Sequence, residues 1–257
     1  MTRSAVLRTL LLCCVVSFGT VGCASNPPAN QSKIVSDAHQ DPLEPMNRAV
    51  FDVNDFLDRL LFKPLAELYR FVTPTVVRDR LGSMFDNMNE PVVMANSLMQ
   101  GRVTDAGKSL GRLVVNSTIG VAGAYDVAGE GLGWQAKAAD FGQTLHSWGV
   151  GQGPYLVMPF FGPSTLRDGV GMGADMMMSP WGYVAMEGPH STSKAFSYTS
   201  TGVGALVKRE QHIDDLEKLK QGSIDFYAQM RSVYLQYRNK QLGISAPLPT
   251  SASYDEQ

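Results

Sequence analysis

The feature that most constrains this fold is a run of 26 residues, Phe141 to Leu166, without Asp, Glu, Lys or Arg. The run is long enough to cross a bilayer as a helix, which needs about 20 apolar residues. It also contains five glycines and three prolines, and each proline removes a backbone donor. A segment in lipid must satisfy its own backbone hydrogen bonds, so one continuous spanning helix is excluded.

Two parts of this run have different predicted behaviour. GVGQGP at 149–154 predicts a flexible turn, because glycine admits positive φ and proline fixes φ. YLVMPFFGP at 155–163 predicts a rigid apolar and aromatic arm. The residues allow two interpretations, which are a hinge with an apolar wall at membrane depth and an ordinary apolar loop over a soluble core.

The N-terminus has the pattern of an export signal. Two arginines precede the apolar run at 10–18, which is too short for a stable spanning helix. GTVGC at 19–23 resembles a lipobox, where signal peptidase II cleaves before the cysteine, although Thr20 stands where leucine is usual. Cleavage removes the cysteines at 13 and 14, so Cys23 is the predicted lipid anchor. Ala24 favours the outer membrane of a Gram-negative bacterium over retention in the inner membrane.

Composition favours a chain with adaptable apolar surfaces. Charged residues make up 18% of the sequence, methionine occurs 13 times, and the formal net charge is −2. A nucleic-acid-binding protein would need a basic face, for which the sequence provides no excess of cations. With the anchor at Cys23, the low charge favours a membrane-embedded protein that handles lipid.

The sequence divides into four parts. Residues 1–22 are the signal peptide, and 23–40 are the lipidated N-terminus with a polar, flexible tether. Residues 41–240 are the folded domain, and 241–257 are predicted to be a disordered tail.

Hydrophobic periodicity predicts an all-α domain with irregular Gly/Pro-rich segments. One helix runs from Pro45 to Phe71, kinked or split at Pro64. Helices are predicted at 75–88 and 92–100, separated by Glu90-Pro91, and another at 104–116. A further helix begins near Ser164 as its N-cap, and an amphipathic helix covers 210–238 with a possible division at Gly222-Ser223.

Motifs for catalysis and metal binding are not found in the sequence. It has no nucleophile elbow, P-loop or dinucleotide fingerprint, and its four histidines lack metal-ligand spacing. His146 beside Ser147 is interpreted as a structural residue, since catalytic pairs are neighbours in space rather than in sequence. Asp52, Asp55 and Asp58 are interpreted as a solvated helix face. We therefore predict no enzyme activity, no cofactor and no metal.

Several segments, taken together, resemble the MlaA/VacJ family of outer-membrane lipoproteins. They are DPLEPMNRAVFDVND at 41–55, NMNEPVVMANSLMQG at 87–101, GRLVVNSTIGVAGAYDVA at 111–128, DFGQTLHSWGVGQGPYLVMPFFGPSTLRDGVG at 140–171 and SIDFYAQMRSVYLQYR at 223–238. The resemblance covers about 41–240 in order, and its most specific part is 140–171. Residues 175–205 match weakly, and Met46 stands where the family often has an aromatic residue.

The resemblance implies a ring-like bundle of amphipathic helices embedded in the inner leaflet of the outer membrane, pierced by an amphipathic channel. Misplaced glycerophospholipids would pass passively through it to a periplasmic, MlaC-like carrier, and the protein would associate with a trimeric porin. The family's glycine-rich hairpin beside the channel corresponds to Gly149, Gly151, Gly153, Pro154 and Tyr155. The expected membrane or channel wall comprises Leu156, Met158, Phe160 and Phe161.

Two alternatives from other classes remain open at this point. One is a membrane-anchored phospholipid hydrolase, which released fatty acid would reveal. The other is a scaffold that braces porins or envelope without moving lipid.

Overall fold

The computed structural model describes the backbone of residues 41–180 and 191–244, with side chains except those of 191–198. The predicted signal, tether and anchor at Cys23 lie outside the described residues, as does the tail beyond Ile244. Asp41 begins the compact unit that holds every described residue.

The first helical segment comprises helix α1 (Glu44–Leu57), a π-helical turn (Asp58–Phe62) and helix α2 (Lys63–Val72). Helix α1 begins one residue before the predicted start, with Pro45 in its first turn, where the missing N–H is no loss. Pro64 follows the π-helical turn, whose wider hydrogen-bonding pattern avoids the clash of a proline ring with the preceding turn. The helix type changes just before Pro64, but the chain stays helical across it, so the segment is not split there.

Helix α3 (Thr75–Met99) runs without interruption through Pro91, so the predicted break at Glu90-Pro91 is wrong. A proline inside a helix costs about 3 kcal/mol. Tertiary contacts offset this cost, because Glu90 accepts a 2.6 Å hydrogen bond from Arg112 of helix α4 (Val103–Thr118), and Val92 and Val93 are buried. Helix α4 contains the helix predicted at 104–116.

The charge-free run is more regular than predicted. Helices α5 (Val127–Leu132) and α6 (Phe141–Ser147) precede a hairpin of strands β1 (Tyr155–Met158) and β2 (Gly162–Thr165). The strands are antiparallel, with Tyr155 opposite Thr165 and Met158 opposite Gly162. The fold is therefore mostly helical as predicted, and within this run α6 and the hairpin are regular elements that the sequence did not predict.

Helix α7 (Leu166–Met178) follows β2 directly. Its N-cap is Thr165, whose hydroxyl accepts the Asp168 backbone N–H at 3.3 Å. The predicted N-cap, Ser164, is one residue too early. Strand pairing continues through Thr165, opposite Tyr155, so the helix begins only after that residue.

The C-terminal helices are α8 (Ser191–Gln211), α9 (Ile213–Gln221) and α10 (Phe226–Gln241). The predicted division at Gly222-Ser223 is confirmed, because Gly222 caps α9. A second break at His212 separates α8 from α9, so 210–238 is not one helix. Helix α10 continues through Gln241, the residue at which the tail was predicted to begin.

Burial in the described residues is the reverse of that in a water-soluble protein. The largest fully buried side chains are mostly polar and include Asn47, Asn96 and Thr144. Many large apolar side chains are exposed, among them Phe71 at 88%. The described helices therefore have a largely polar interior and many exposed apolar side chains, whereas soluble monomers rarely expose large contiguous apolar surface. No helix among the described residues is long and apolar enough to cross a membrane.

Candidate functional site

Helix α1 holds the hairpin through two asparagines, which are two helical turns apart on one face. Asn47 is fully buried, donates to the Tyr155 carbonyl at 3.0 Å and accepts from the Val157 N–H at 2.9 Å. Asn54 makes an equivalent pair of bonds at the other end of β1. Its side chain donates to the Met158 carbonyl and accepts from the Phe160 N–H. The two side chains act as a partner strand for the free edge of β1, because each satisfies one backbone donor and one acceptor.

Aromatic side chains pack against the buried face of strand β1. Tyr155, Val157 and Tyr227 form a buried cluster, and Phe51 meets Tyr227 edge to face at 5.5 Å. Burial raises the pKa of Tyr155, so its hydroxyl stays neutral. This cluster joins α1, β1 and α10 and fixes the base of the hairpin.

The glycine-rich loop before the hairpin has a defined start. Gly149 follows helix α6 with φ of +85°, its N–H donates to the His146 carbonyl, and the Val150 N–H donates to the Leu145 carbonyl. These two bonds form a Schellman cap, which requires a left-handed residue at the position of Gly149. Gly153 is also left-handed, at +68°, whereas Gly151 is not among the positive-φ residues.

A buried ion cluster lies beneath the loop and hairpin. Arg238 of α10 donates to both carboxylate oxygens of Asp140 at 2.6 and 2.7 Å and to both of Asp168 at 2.9 Å. Asp140 caps α6, and Asp168 lies in the first turn of α7. Burial raises the pKa of each carboxyl, but the hydrogen bonds from Arg238 outweigh it, so both pKa values lie below their usual range. One arginine thereby fixes the helices on both sides of the hairpin.

His146 lies next to this cluster. Its Nδ1 is 3.4 Å from Nη1 of Arg167, and burial together with that guanidinium lowers the pKa of His146. The imidazole is therefore neutral at neutral pH. The interpretation of His146 as a structural residue agrees with these contacts.

An amphipathic cavity of about 250 Å³ opens beside the hairpin, between α1, β2 and the C-terminal helices. Pro163, Phe226 and Met230 contribute its apolar side. Its charged side consists of ion pairs, since Asp58 accepts from Arg209 and Asp55 accepts from Lys220, both at 2.6 Å. The prediction that Asp55 and Asp58 belong to a solvated face is therefore wrong, because basic residues of α8 and α9 cover them; Asp52 is exposed as predicted.

The predicted wall and loop residues are brought together on one hairpin but in different surroundings. Tyr155 is buried in the core, and Leu156 and Met158 are half-buried on the opposite face of β1. Phe160, which is 71% exposed with φ of +66°, and Phe161 lie at the turn. Gly149, Gly151 and Gly153 are exposed, and Pro154 is half-buried. Whether these residues line a channel stays a prediction.

Several residues that organise the site were not predicted. Asn47 and Asn54 are seven residues apart in helix α1 and so lie on one face, but the sequence does not show that this face meets the hairpin. Asp140 and Asp168 precede or open helices and could have been proposed as caps. Their shared partner, Arg238, lies 98 and 70 residues away, and nothing local in the sequence indicates it. Within the described residues no group of three His, Cys, Asp or Glu side chains could hold a metal ion.

Comparison with known proteins gives consistent matches. A family model described as MlaA lipoprotein matches residues 39–241. The chain is 33% identical over 219 residues to the intermembrane phospholipid transport system lipoprotein MlaA of Escherichia coli strain K12, covering 84% of this chain and 81% of that protein. It is 29% identical over 242 residues to the protein of that name from Haemophilus influenzae, covering 93% and 91%. A structure solved in work on the structural basis for maintenance of bacterial outer membrane lipid asymmetry matches with a TM-score of 0.66 and 29% identity, covering 79% of this chain and 100% of that chain.

Proposed function

The chain belongs to the MlaA lipoprotein family, and we propose that it is a passive phospholipid conduit of the outer membrane. It takes misplaced glycerophospholipids from the outer leaflet and delivers them to a periplasmic, MlaC-like carrier. Its helices form a ring in the inner leaflet, anchored by lipids on Cys23 and associated with a trimeric porin. The names of its relatives, which refer to phospholipid transport and to outer-membrane lipid asymmetry, support this proposal.

The observation that carries the proposal is the reversed burial of the described residues. Helices α1 to α4 expose large apolar side chains such as Phe56, Leu68 and Phe71. Their buried faces carry polar or charged residues such as Asn47, Asn96 and Arg112. A lipid conduit needs this arrangement, because the outside contacts acyl chains while the inside must admit a hydrated head group.

The amphipathic cavity beside the hairpin supplies the two surfaces that a phospholipid needs. Its ion pairs offer polar contacts to a phosphate or an ammonium, and Phe226 and Met230 offer contacts to an acyl chain. The hairpin with Phe160 and Phe161 lies next to it, so movement of this arm would change access to the cavity. Transport through such a path needs no covalent chemistry, since removal of lipid by a carrier draws it downhill.

The test is a strain that lacks the chain, complemented with the wild-type protein. We expect the deletion to accumulate phospholipid in the outer leaflet, measured by cleavage with an added phospholipase, and to become detergent-sensitive. Complementation should reverse both effects. Normal asymmetry in the deletion strain would contradict the proposal.

A second measurement separates the conduit from a hydrolase. Purified protein incubated with phospholipid vesicles should release no fatty acid. Release of fatty acid above a heat-inactivated control would favour the hydrolase instead. Photocrosslinkers at Leu156 and Phe161 should capture lipid in native membranes, whereas capture of protein alone would favour the scaffold.

A further inference from the structure

A second cavity, of about 340 Å³, lies between α3, α4 and the chain at 123–138. None of the residues that line it belongs to the run at 141–166. It is therefore separate from the hairpin and from the amphipathic cavity beside it.

The polar side chains on one wall of this cavity are already hydrogen-bonded to one another. Arg112 donates to Glu90 at 2.6 Å, to Asp126 at 3.1 Å and to the Trp134 carbonyl at 2.7 Å. Asp126 also accepts from the Asn116 amide and from the Gly129 N–H. This wall has little capacity left to bind a ligand.

The opposite wall has acceptors without donors. The Asp86 carboxylate lines the open side of the cavity, where it is exposed, and has no hydrogen-bond or ion-pair partner among the described residues, although Lys208 is close enough to act on it electrostatically. Its neighbour Asn87 is only 5% exposed, and its Nδ2 donates to Ser117 at 2.9 Å while its Oδ1 is buried without a partner. A buried acceptor left without a donor costs about 1–3 kcal/mol. Partial burial raises the pKa of Asp86, and the charges of Lys208 and Arg112 oppose that rise without cancelling it.

A strained turn shapes this wall. Val121, Ala122 and Gly123 adopt consecutive left-handed conformations, with φ of 55°, 56° and 88°. Such a conformation costs a non-glycine residue about 1–2 kcal/mol. A Cβ at position 123 would meet the Asn87 side chain, so the turn brings backbone against that amide. Strain that the surrounding fold maintains in this way is found at binding sites.

The acceptors of Asp86 and Asn87 indicate which kind of ligand would fit this wall. Two neighbouring acceptors, one of them charged, call for a cationic donor, and a primary ammonium supplies both the charge and the hydrogen atoms. Lys137, on the segment that closes the cavity, is half exposed, and its ion-pair partner among the described residues is Asp105, so its ammonium can also bind an anion. Ile119 and Val121 are exposed on the adjoining turn and offer apolar surface for an acyl chain.

We propose that this cavity binds a zwitterionic phosphoethanolamine head group, with its ammonium at Asp86 and Asn87 and its phosphate at Lys137. The inference rests on the proposed transport of phospholipid and adds a head-group preference to it. An anionic lipid such as phosphatidylglycerol lacks the ammonium and would leave both acceptors without a donor.

The test uses the full-length lipidated protein in detergent, with short-chain phosphatidylethanolamine and phosphatidylglycerol bound in competition and counted by native mass spectrometry. One charge-assisted hydrogen bond should give the wild type about a tenfold preference for phosphatidylethanolamine. Asp86→Asn should reduce the preference to less than about twofold while binding of phosphatidylglycerol is unchanged. Asp79→Asn makes the same change at an exposed residue of the same helix, outside the cavity, and should keep the full preference.

The outcomes separate this inference from the function on which it rests. Wild-type protein that binds both lipids equally would overturn the head-group site and leave the conduit standing. An equal effect of Asp86→Asn and Asp79→Asn would also overturn the site. Failure of the wild type to bind either lipid would contradict the conduit itself.

Discussion

Gly149 is required by the backbone conformation that ends helix α6. The sequence predicts a hinge at Gly149 and Gly151, but the structure gives the two glycines different conformations. Gly149 occupies the left-handed position of a Schellman cap, and a Cβ there would meet no other atom within 4 Å. Gly151 is as open but is not among the positive-φ residues. The constraint at Gly149 is therefore conformational strain, not space.

This difference predicts unequal effects of two alanine substitutions. Gly149→Ala should lower the free energy of unfolding by about 1–2 kcal/mol, because alanine disfavours positive φ. Gly151→Ala should change it by less than about 0.5 kcal/mol, since it meets neither strain nor a clash. Thermal unfolding of the purified variants in detergent measures both. Equal destabilisation would refute the assigned cap, and loss of transport in a fully stable Gly151→Ala protein would establish a hinge there.

Asp140 and Asp168 predict how stability depends on pH. Their pKa values in the folded protein lie below the ordinary value of about 3.9 for an unfolded Asp. Such a carboxyl stabilises the fold above its unfolded pKa, and the contribution disappears as the pH falls through the folded pKa. We expect this contribution to be complete at about pH 5 and lost progressively below about pH 4, as followed by urea unfolding.

The partner variant tests the cause. Arg238→Met removes the cation that Asp140 and Asp168 share and leaves Asp168 with Arg167 as its ion-pair partner, so it should cost about 3 kcal/mol at neutral pH. The difference from wild type should shrink in acid, where protonated carboxyls no longer need the cation. Arg59→Met, which removes an exposed i,i+4 pair with Asp55, should cost less than about 1 kcal/mol. A pH-independent effect of Arg238→Met would indicate lost packing instead of lost charge pairing.

At the scale of elements, the hairpin depends on helix α1 as much as on its own strands. Its two four-residue strands would be marginal alone. The sequence predicts α1 well, because its apolar spacing is strong, but that spacing gives no information on which side of the helix faces the protein. Val53 and Phe56, two apolar residues of α1, are exposed, while Asn47 and Asn54 face the hairpin.

The asparagine contacts predict a local effect on the hairpin turn. Asn54→Ala removes the acceptor of the Phe160 N–H and the donor to the Met158 carbonyl. Hydrogen exchange of peptides covering 156–162 should accelerate about tenfold, which corresponds to a net loss of about 1.4 kcal/mol. Asp52→Ala, at an exposed position of the same helix, should leave exchange unchanged. Unaltered exchange in Asn54→Ala would show that the strand pair alone fixes the turn.

At the scale of the whole molecule, the main feature is that polar side chains are buried while large apolar side chains are exposed. The described chain buries ion pairs such as Arg112 with Glu90 and leaves large apolar residues outside. The low charge of the sequence and its charge-free run predict an apolar environment. They do not reveal that the polar residues turn inward, because an apolar helix stripe has the same spacing whether it faces a core or lipid.

Removal of the acyl anchor tests this arrangement. A Cys23→Ser protein exported by a cleavable signal should still sediment with membranes and need detergent to stay monomeric. Adding Phe71→Asp should shift it measurably toward the soluble fraction, because a charge is costly among acyl chains. Gln229→Asp adds the same charge at an exposed polar position and should have no effect. A water-soluble, monomeric Cys23→Ser protein would contradict an embedded body.

The sequence by itself determined the helical class, most helix positions and the unusual character of 141–166, because periodicity, proline and glycine act over a few residues. The tertiary structure decided the rest. Packing on α4 carries α3 through Pro91, pairing with β2 makes a strand of Tyr155–Met158, and Arg238 joins Asp140 to Asp168. These outcomes depend on contacts between residues distant in the chain, whose free energies exceed the local preferences that a sequence displays.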